Sequence, residues 1–533
     1  MTAISLRRLA VLLLGFVLCP SYPATGQNLG SSDGEQGISV AEQARRTRKD
    51  KTQEVRMSDE DAKDLFLSVD KILDFASEDT GFPRKAGVKR RMVGPAEVEK
   101  YTREQQAKAD FAKRYANSEL TMKKFGLLPR DFNLQEFLVK ANGKQIAAYY
   151  DFETKTISML NWIPRDNQEP ILAHELTHAL QDQNYDLRRF LKLDSKEPSG
   201  KWNDDDDDES ILARHAVTEG QAQVVYVDYV LKPYGRTVQN TPGLIYQMED
   251  PVVKAAADSE LLHKAPMIIR EAGTFPYGAG LIFEGELLHK GGKERAFAGT
   301  FADPPRSTHE VLDPNAYLNH EKLPAIQFPD LQPLVGSPYT VFDSGGIGQL
   351  DMRAMIEQFG DRKDAVDIAN AWQGGRYVAF RRVNNSAPSK DAAIGDLAFI
   401  YVSRWKSAQA AQRFAKVYVT AVSQRYKNTA AQSLPACSVT PCPVAAANFS
   451  TEEGPVLVED FPDNTVVVSE SFDQETAAKL VNAVRDRNSD THADNFRQDE
   501  LGLRLYSVPG FAAFQEQIGE RVREEVAKQL RTH

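Results

Sequence analysis

Two histidines four residues apart, with a glutamate after the first, constrain the fold more than any other stretch of this 533-residue sequence: His174-Glu175-Leu176-Thr177-His178. A helix places residues i and i+4 on one face, so both imidazoles converge on a single point. Leu172, Leu176, Ala179, Leu180 and Gln183 fall on or beside a different stripe, which can anchor the helix to a core. The spacing predicts a helix over Asp166 to Gln183, with Asp166 and Glu169 placed as a capping box and Pro170 tolerated in the first turn. Converging imidazoles suit a divalent metal. Glu175 is placed to reach a metal-bound water without being a ligand, so each fixed position of the motif has a chemical reason.

The flanking text supplies the rest of such a centre. Ile146, Ala148, Tyr150 and Phe152 alternate, Glu153-Thr154-Lys155 reads as a turn, and Thr156 to Leu160 resumes, which predicts a hairpin over Gln145 to Leu160. A second helix is expected from Glu209 to Val230. A catalytic zinc site takes three protein ligands and keeps a fourth position open. No further histidine follows His178 at the spacing of the metzincin pattern, so the third ligand must come from elsewhere. Glu219 is the expected one, because Gly220 beside it lets backbones approach closely. Glu209, the run Asp204 to Asp208 and His215 compete. The acidic run reads as a solvated loop, with calcium attraction the lesser alternative, and His215 as a helix-surface group or one behind the ligands.

With these residues in place the sequence resembles the gluzincin class of zinc peptidases, and a bacterial family within it. The matching stretches are Ala173 to Asn184, Val217-Thr218-Glu219-Gly220, Phe275-Pro276-Tyr277-Gly278-Ala279-Gly280, and Asp303-Pro304-Pro305-Arg306-Ser307-Thr308 followed by Val311, Leu312 and Tyr317; Trp372 with Gly375-Arg376-Tyr377 echoes the family more weakly. The resemblance implies Zn2+ held by His174, His178 and Glu219, with Glu175 as general base. Gln221 stands where an acid is expected to orient a ligand histidine, and Asp313 where a histidine often precedes the proline. For stabilising the oxyanion of the tetrahedral intermediate, the candidates are Tyr277, Arg306, His309 and Tyr317. The hairpin is expected to form the edge strand on which a peptide substrate pairs.

At the N-terminus, Arg7 and Arg8 precede an apolar run from Leu9 to Cys19, and small residues follow at Ala24 and Gly26. That order reads as a secretory signal over 1–26, cut after Gly26; the run is short for a membrane span. Leu18 before Cys19 is a poor lipid-attachment context. The expected location is periplasmic or extracellular. Removing 1–26 takes the net charge from -10 to -12, and no basic stretch beyond the N-terminal arm supports nucleic-acid binding. Cys437 and Cys442 then remain, and an exported chain permits a disulfide between them. Two thiols without a neighbouring histidine do not make a zinc knuckle.

Residues 27–56, rich in Gly, Ser, Gln and charge, read as a disordered linker. Residues 57–330 are expected to form a zincin-like catalytic domain with helices at Asp59 to Ser77 and Glu97 to Leu120. Residues 331–533 are expected to form a smaller α+β domain. Its expected order is a helix at Gly348 to Phe359, strands at Arg376 to Arg382 and Leu397 to Arg404, and a helix from Ser407 to Gln424. Strands at Val456 to Asp460 and Thr465 to Ser471 and a helix at Gln474 to Val484 repeat that order, a weak internal duplication. Trp372 to Arg376 reads as a turn into a strand, and Gln515 to Leu530 as a terminal helix. The function this predicts is zinc-dependent peptide-bond hydrolysis. A binding protein with a structural metal, or a cell-wall amide hydrolase, are the alternatives.

Overall fold

The computed structural model describes residues 57–94, 97, 110–134, 136–137, 148–151, 154–161, 165–191, 208–241, 243–247, 260–382, 393–437 and 439–488. The expected signal, the linker, Asp204 to Asp207, part of the Glu97 to Leu120 helix and the Gln515 to Leu530 helix lie outside these residues.

Helix α1 (Asp59–Thr80) starts where the Ser58 side chain accepts from the Asp61 amide at 3.0 Å and stops at Gly81, whose φ of 76° few other residues adopt. It runs three residues past the expected end. Leu65, Val69, Ile72, Leu73 and Ala76 recur at helical spacing and are buried. Strand β1 (Lys89–Val93) and helix α2 (Asp110–Phe125) follow, then β2 (Ala148–Asp151) and β3 (Thr156–Leu160). The hairpin pairs Ala148 with Met159 and Asp151 with Thr156, and β1 adds in parallel to β3, giving the order β1-β3-β2. Lys89, Arg90 and Arg91 hid that strand from hydrophobic patterning; its two arginines are partnered instead, Arg90 by Asp70 at 2.6 Å and Arg91 by the Tyr149 hydroxyl at 2.8 Å.

Helix α3 (Arg165–Tyr185) carries the two histidines, and α4 (Asp208–Leu231) and α5 (Met267–Lys293) complete the helical body. Every side chain from Ile171 to Asp182 on α3 is buried, so the helix has no solvent face and passes through the middle of the first core. Gln168 pins its start to the hairpin: the side-chain oxygen accepts from the Leu160 amide at 3.1 Å and the side-chain amide donates to the Leu160 carbonyl at 2.7 Å. Helices α4 and α5 meet backbone to backbone. A Cβ on Gly220 would lie 2.3 Å from the Gly280 carbonyl oxygen, and one on Gly280 would lie 2.4 Å from the Ala216 carbonyl oxygen. Beyond α5 the chain makes a π-helical turn over Glu294–Gly299.

The remainder runs β4 (Tyr339–Gly346), α6 (Gln349–Phe359), α7 (Arg362–Asn370), β5 (Trp372–Arg382), β6 (Leu397–Trp405), α8 (Ala408–Arg425), β7 (Thr429–Ala431), β8 (Ala445–Thr451), β9 (Gly454–Asp460), β10 (Thr465–Glu470) and α9 (Gln474–Asn488). The strands form one antiparallel sheet, ordered β4-β5-β6-β10-β9-β8-β7. Trp372 to Arg376 is already strand, with a bulge between Trp372 and Gly374. Alternation along β6 sends Phe399 and Tyr401 to the α8 face, and Ala398, Ile400 and Val402 to the α9 face. The two strand-strand-helix units share an order, yet their helices cover opposite faces. The whole is a mixed fold of helices and sheet, and none of its described helices is long and apolar enough to cross a membrane. Cys437 and Cys442 form a disulfide.

Candidate metal centre

His174 and His178 project from one face of α3, and α4 brings Glu219 against them. His174 Nε2 lies 3.1 Å from Glu219 Oε2 and 3.1 Å from His178 Nε2, and His178 Nε2 lies 3.5 Å from Glu219 Oε2. Three corners of a tetrahedron around zinc, with bonds of about 2.0–2.1 Å, would stand about 3.3 Å apart. The other Glu219 oxygen is buried with no hydrogen-bond partner, an arrangement costly for a carboxylate unless a cation faces it. These donors fit a divalent ion, and among the described residues they are the one group of this kind.

The closeness of the three groups also sets their protonation. Burial depresses His174 to about 4, with Glu219 opposing. Burial also works against charge on His178 and Glu219, but their mutual attraction outweighs it, lifting His178 to about 9 and holding Glu219 down to about 2. The cluster keeps one proton between an imidazole and a carboxylate, and metal binding would displace that proton.

Glu175, fully buried beside the cluster, is raised to about 8 by burial, with His178 opposing, Glu219 adding and the Tyr150 amide opposing. Its Oε2 accepts from the Tyr150 amide of β2 at 2.9 Å, and its Oε1 has no partner. One oxygen is therefore tethered to the edge of the small sheet and the other is free to take a proton. The Tyr150 hydroxyl donates to Asp182 at 2.8 Å, and Lys155 pairs with the same carboxylate, so β2 is fastened to α3 on both sides of His178.

Of the further candidates, Tyr277 is buried on α5, within electrostatic reach of the cluster's carboxylates. Burial raises its hydroxyl well above the ordinary range, and the carboxylates of Glu219 and Glu175 raise it further, leaving a neutral phenol able to donate. His309 is engaged elsewhere: Nδ1 lies 2.6 Å from Gln349 Oε1 and Nε2 3.4 Å from Glu321 Oε2. Its neighbour Thr308 bonds Glu209, at the other end of α4, about 15 Å of helix away from Glu219. That contact also occupies Glu209 as a cap rather than a ligand. Arg306 is bound to Glu310 through both its guanidinium and its own backbone amide, and the Tyr317 hydroxyl donates to the Asp303 carbonyl at 2.6 Å. These three side chains hold the 303–321 segment together. His215, expected at the helix surface or behind the ligands, is buried on α4, where burial depresses it to about 4 with Glu219 opposing.

Sequence reasoning missed Gln181. His178 Nδ1 lies 2.8 Å from its Oε1. The signal was available, since residue 181 is one helical turn beyond 178 on the same face.

These features define a protein with a buried His-His-Glu group able to bind a metal ion. Residues 339–481 match a family described as a domain of unknown function, DUF8575. The match covers the seven-stranded sheet and most of its helices, and excludes the metal group. No curated protein and no solved structure matches the chain.

Proposed function

We propose that this chain is an exported zinc-dependent peptidase of gluzincin type, on a zincin-like fold, acting on peptide or protein substrates. The observation that carries the reading is the spacing of His174, His178 and Glu219 at 3.1–3.5 Å, with the unpartnered Glu175 Oε1 alongside. Bound zinc would supply a Lewis acid that acidifies water and polarises a carbonyl.

The chain's own groups divide the remaining work. Tyr150 holds Glu175 Oε2, so Oε1 takes the proton from water and later passes it to the leaving amine. The Tyr277 hydroxyl donates toward charge developing on the carbonyl oxygen. Strand β2 lies at the edge of its sheet, where an extended peptide can pair with main-chain groups.

The test is metal content and casein hydrolysis of the mature chain and of Glu175→Gln. The expected outcome is about one zinc per chain in both and hydrolysis in the wild type alone; full activity in the variant would sink the mechanism. One observation favours a second reading, a structural metal in a binding protein: His174, Glu175, His178 and Glu219 are all 3 % exposed or less. Zinc without hydrolysis in the wild type would select it.

A further inference from the structure

We infer that His178 is held in its metal-binding tautomer by a relay of two neutral amides, Gln181 and Gln221, anchored on the π-helical turn. The inference rests on the metal-binding half of the proposed function and not on hydrolysis.

Each orientation along the relay is forced by the next. The Gln221 side-chain nitrogen faces three oxygens, the carbonyls of Ala296 at 3.1 Å and Phe297 at 3.0 Å and the Thr300 hydroxyl at 2.9 Å. Only an NH2 group can stand there, and Thr300 spends its own proton on the Ala296 carbonyl at 2.8 Å. The Gln221 oxygen must then point the other way, toward the Gln181 nitrogen at 3.0 Å. That nitrogen also donates to the Thr218 carbonyl at 3.0 Å. Gln181 therefore turns its oxygen to His178 Nδ1, which must carry a proton. The lone pair is left on Nε2, the atom facing His174 and Glu219.

This accounts for the missing acid at 221. An ionised carboxylate there would meet three oxygens with no proton to give. The π-turn belongs to the same arrangement: turns of this kind occur frequently at functional sites, and here it presents two successive carbonyls to one side-chain amide. Gln181, Gln221 and Thr300 are all fully buried, so water cannot substitute for a lost member. His178 thus receives a neutral acceptor where ligand histidines often have a carboxylate. Gln181 and Gln221 are positioning residues, acting through the imidazole.

Zinc affinity of the purified mature chain, by competition against a chromophoric chelator, tests this without any substrate. Gln221→Leu removes one of the two acceptors that fix the Gln181 amide, leaving the Thr218 carbonyl alone to hold it, and is expected to weaken zinc by about 10-fold. Adding Gln181→Glu should restore affinity to within about threefold of wild type, because the buried acid in its protonated form donates to the Thr218 carbonyl and accepts from His178 Nδ1 with its other oxygen, without needing Gln221. A residue that merely supports packing would not be rescued this way. Thr300→Val, which removes one acceptor of three, should weaken zinc by a smaller factor and serves if Gln221→Leu fails to fold. Wild-type affinity in both Gln221→Leu and Thr300→Val, or a double variant as weak as Gln221→Leu, overturns the relay. A chain that binds zinc with the expected variant pattern and cleaves nothing would sink the peptidase reading and leave the relay standing.

Discussion

Gly220→Ala tests how closely α4 must approach α5 for Glu219 to reach the histidines. The added Cβ would stand 2.3 Å from the Gly280 carbonyl oxygen, a backbone atom that cannot rotate away. Carbon–oxygen contacts tolerate about 3.3 Å, so the helices must part by about 1 Å. A gap of that size forfeits a quarter to a half of each contact's dispersion energy along the seam. Alanine recovers about 1 kcal/mol of helix propensity. The net expectation is about 1–3 kcal/mol of destabilisation. Glu219, one residue away, moves with the backbone, and metal ligands tolerate only about 0.2 Å, so zinc affinity should fall by roughly tenfold or more. Thermal unfolding and chelator competition measure both. Gly87→Ala is the control, since its nearest foreign atom is an Arg84 nitrogen at 3.9 Å. An unchanged unfolding temperature with unchanged zinc affinity would refute the reasoning.

Tyr277→Phe should keep its zinc and lose about 10²-fold in hydrolysis if the phenol donates to the oxyanion; an unaltered rate removes it from the mechanism. Asp343 is raised to about 6 by burial, with Thr121, the Tyr377 hydroxyl and the Ser344 amide opposing. A raised acid costs nothing below its unfolded value near 4, and stability then declines as pH climbs to 6, by up to about 3 kcal/mol. Asp343→Asn should therefore be more stable than wild type at pH 7 and indistinguishable below pH 4, which unfolding midpoints at the two pH values would reveal. Glu470, fully buried, accepts from Arg425 at 2.5 Å, Tyr426 at 2.6 Å and Tyr418 at 2.8 Å. Glu470→Gln leaves a buried guanidinium uncompensated and should cost about 3–5 kcal/mol in urea unfolding.

The His-His-Glu group was legible because a five-residue motif imposes its own geometry: once His174 and His178 share a helix face, only the third donor is in question, and Gly220 pointed to Glu219. The hairpin and the alternating strands β6, β9 and β10 announced themselves by period. What stayed hidden depended on partners distant in sequence. Strand β1 is written in charged residues, and the groups that its arginines bond lie on α1, β2 and β3. Helix α5 interrupts its apolar text with Pro276 and several glycines; Gly280 serves close packing against α4, while Gly292, at a φ of 69°, kinks the helix near its end. Gln221 looked like a defect, since the Ala296 and Phe297 carbonyls that require an amide come 75 residues later. His309, Arg306 and Tyr317 drew notice as polar residues in a Pro-rich stretch, and the structure uses them to bind that stretch to itself.

Helix α2 lies early in the chain, yet Met122 and Phe125 pack in the core under the seven-stranded sheet, and buried Lys124 donates to Glu453 and Ser471. The separation from Lys124 to Glu453 is 329 residues. At a synthesis rate of about 5–20 residues per second, Lys124 exists for roughly 15–65 s before its counter-charge does. During that interval a helix with Met122 and Phe125 to bury, and a lysine destined for burial beside them, lacks the sheet it packs against. Helix α2 must wait for the second half of the chain, and whatever shields it in the meantime sets how much of the chain reaches its native state.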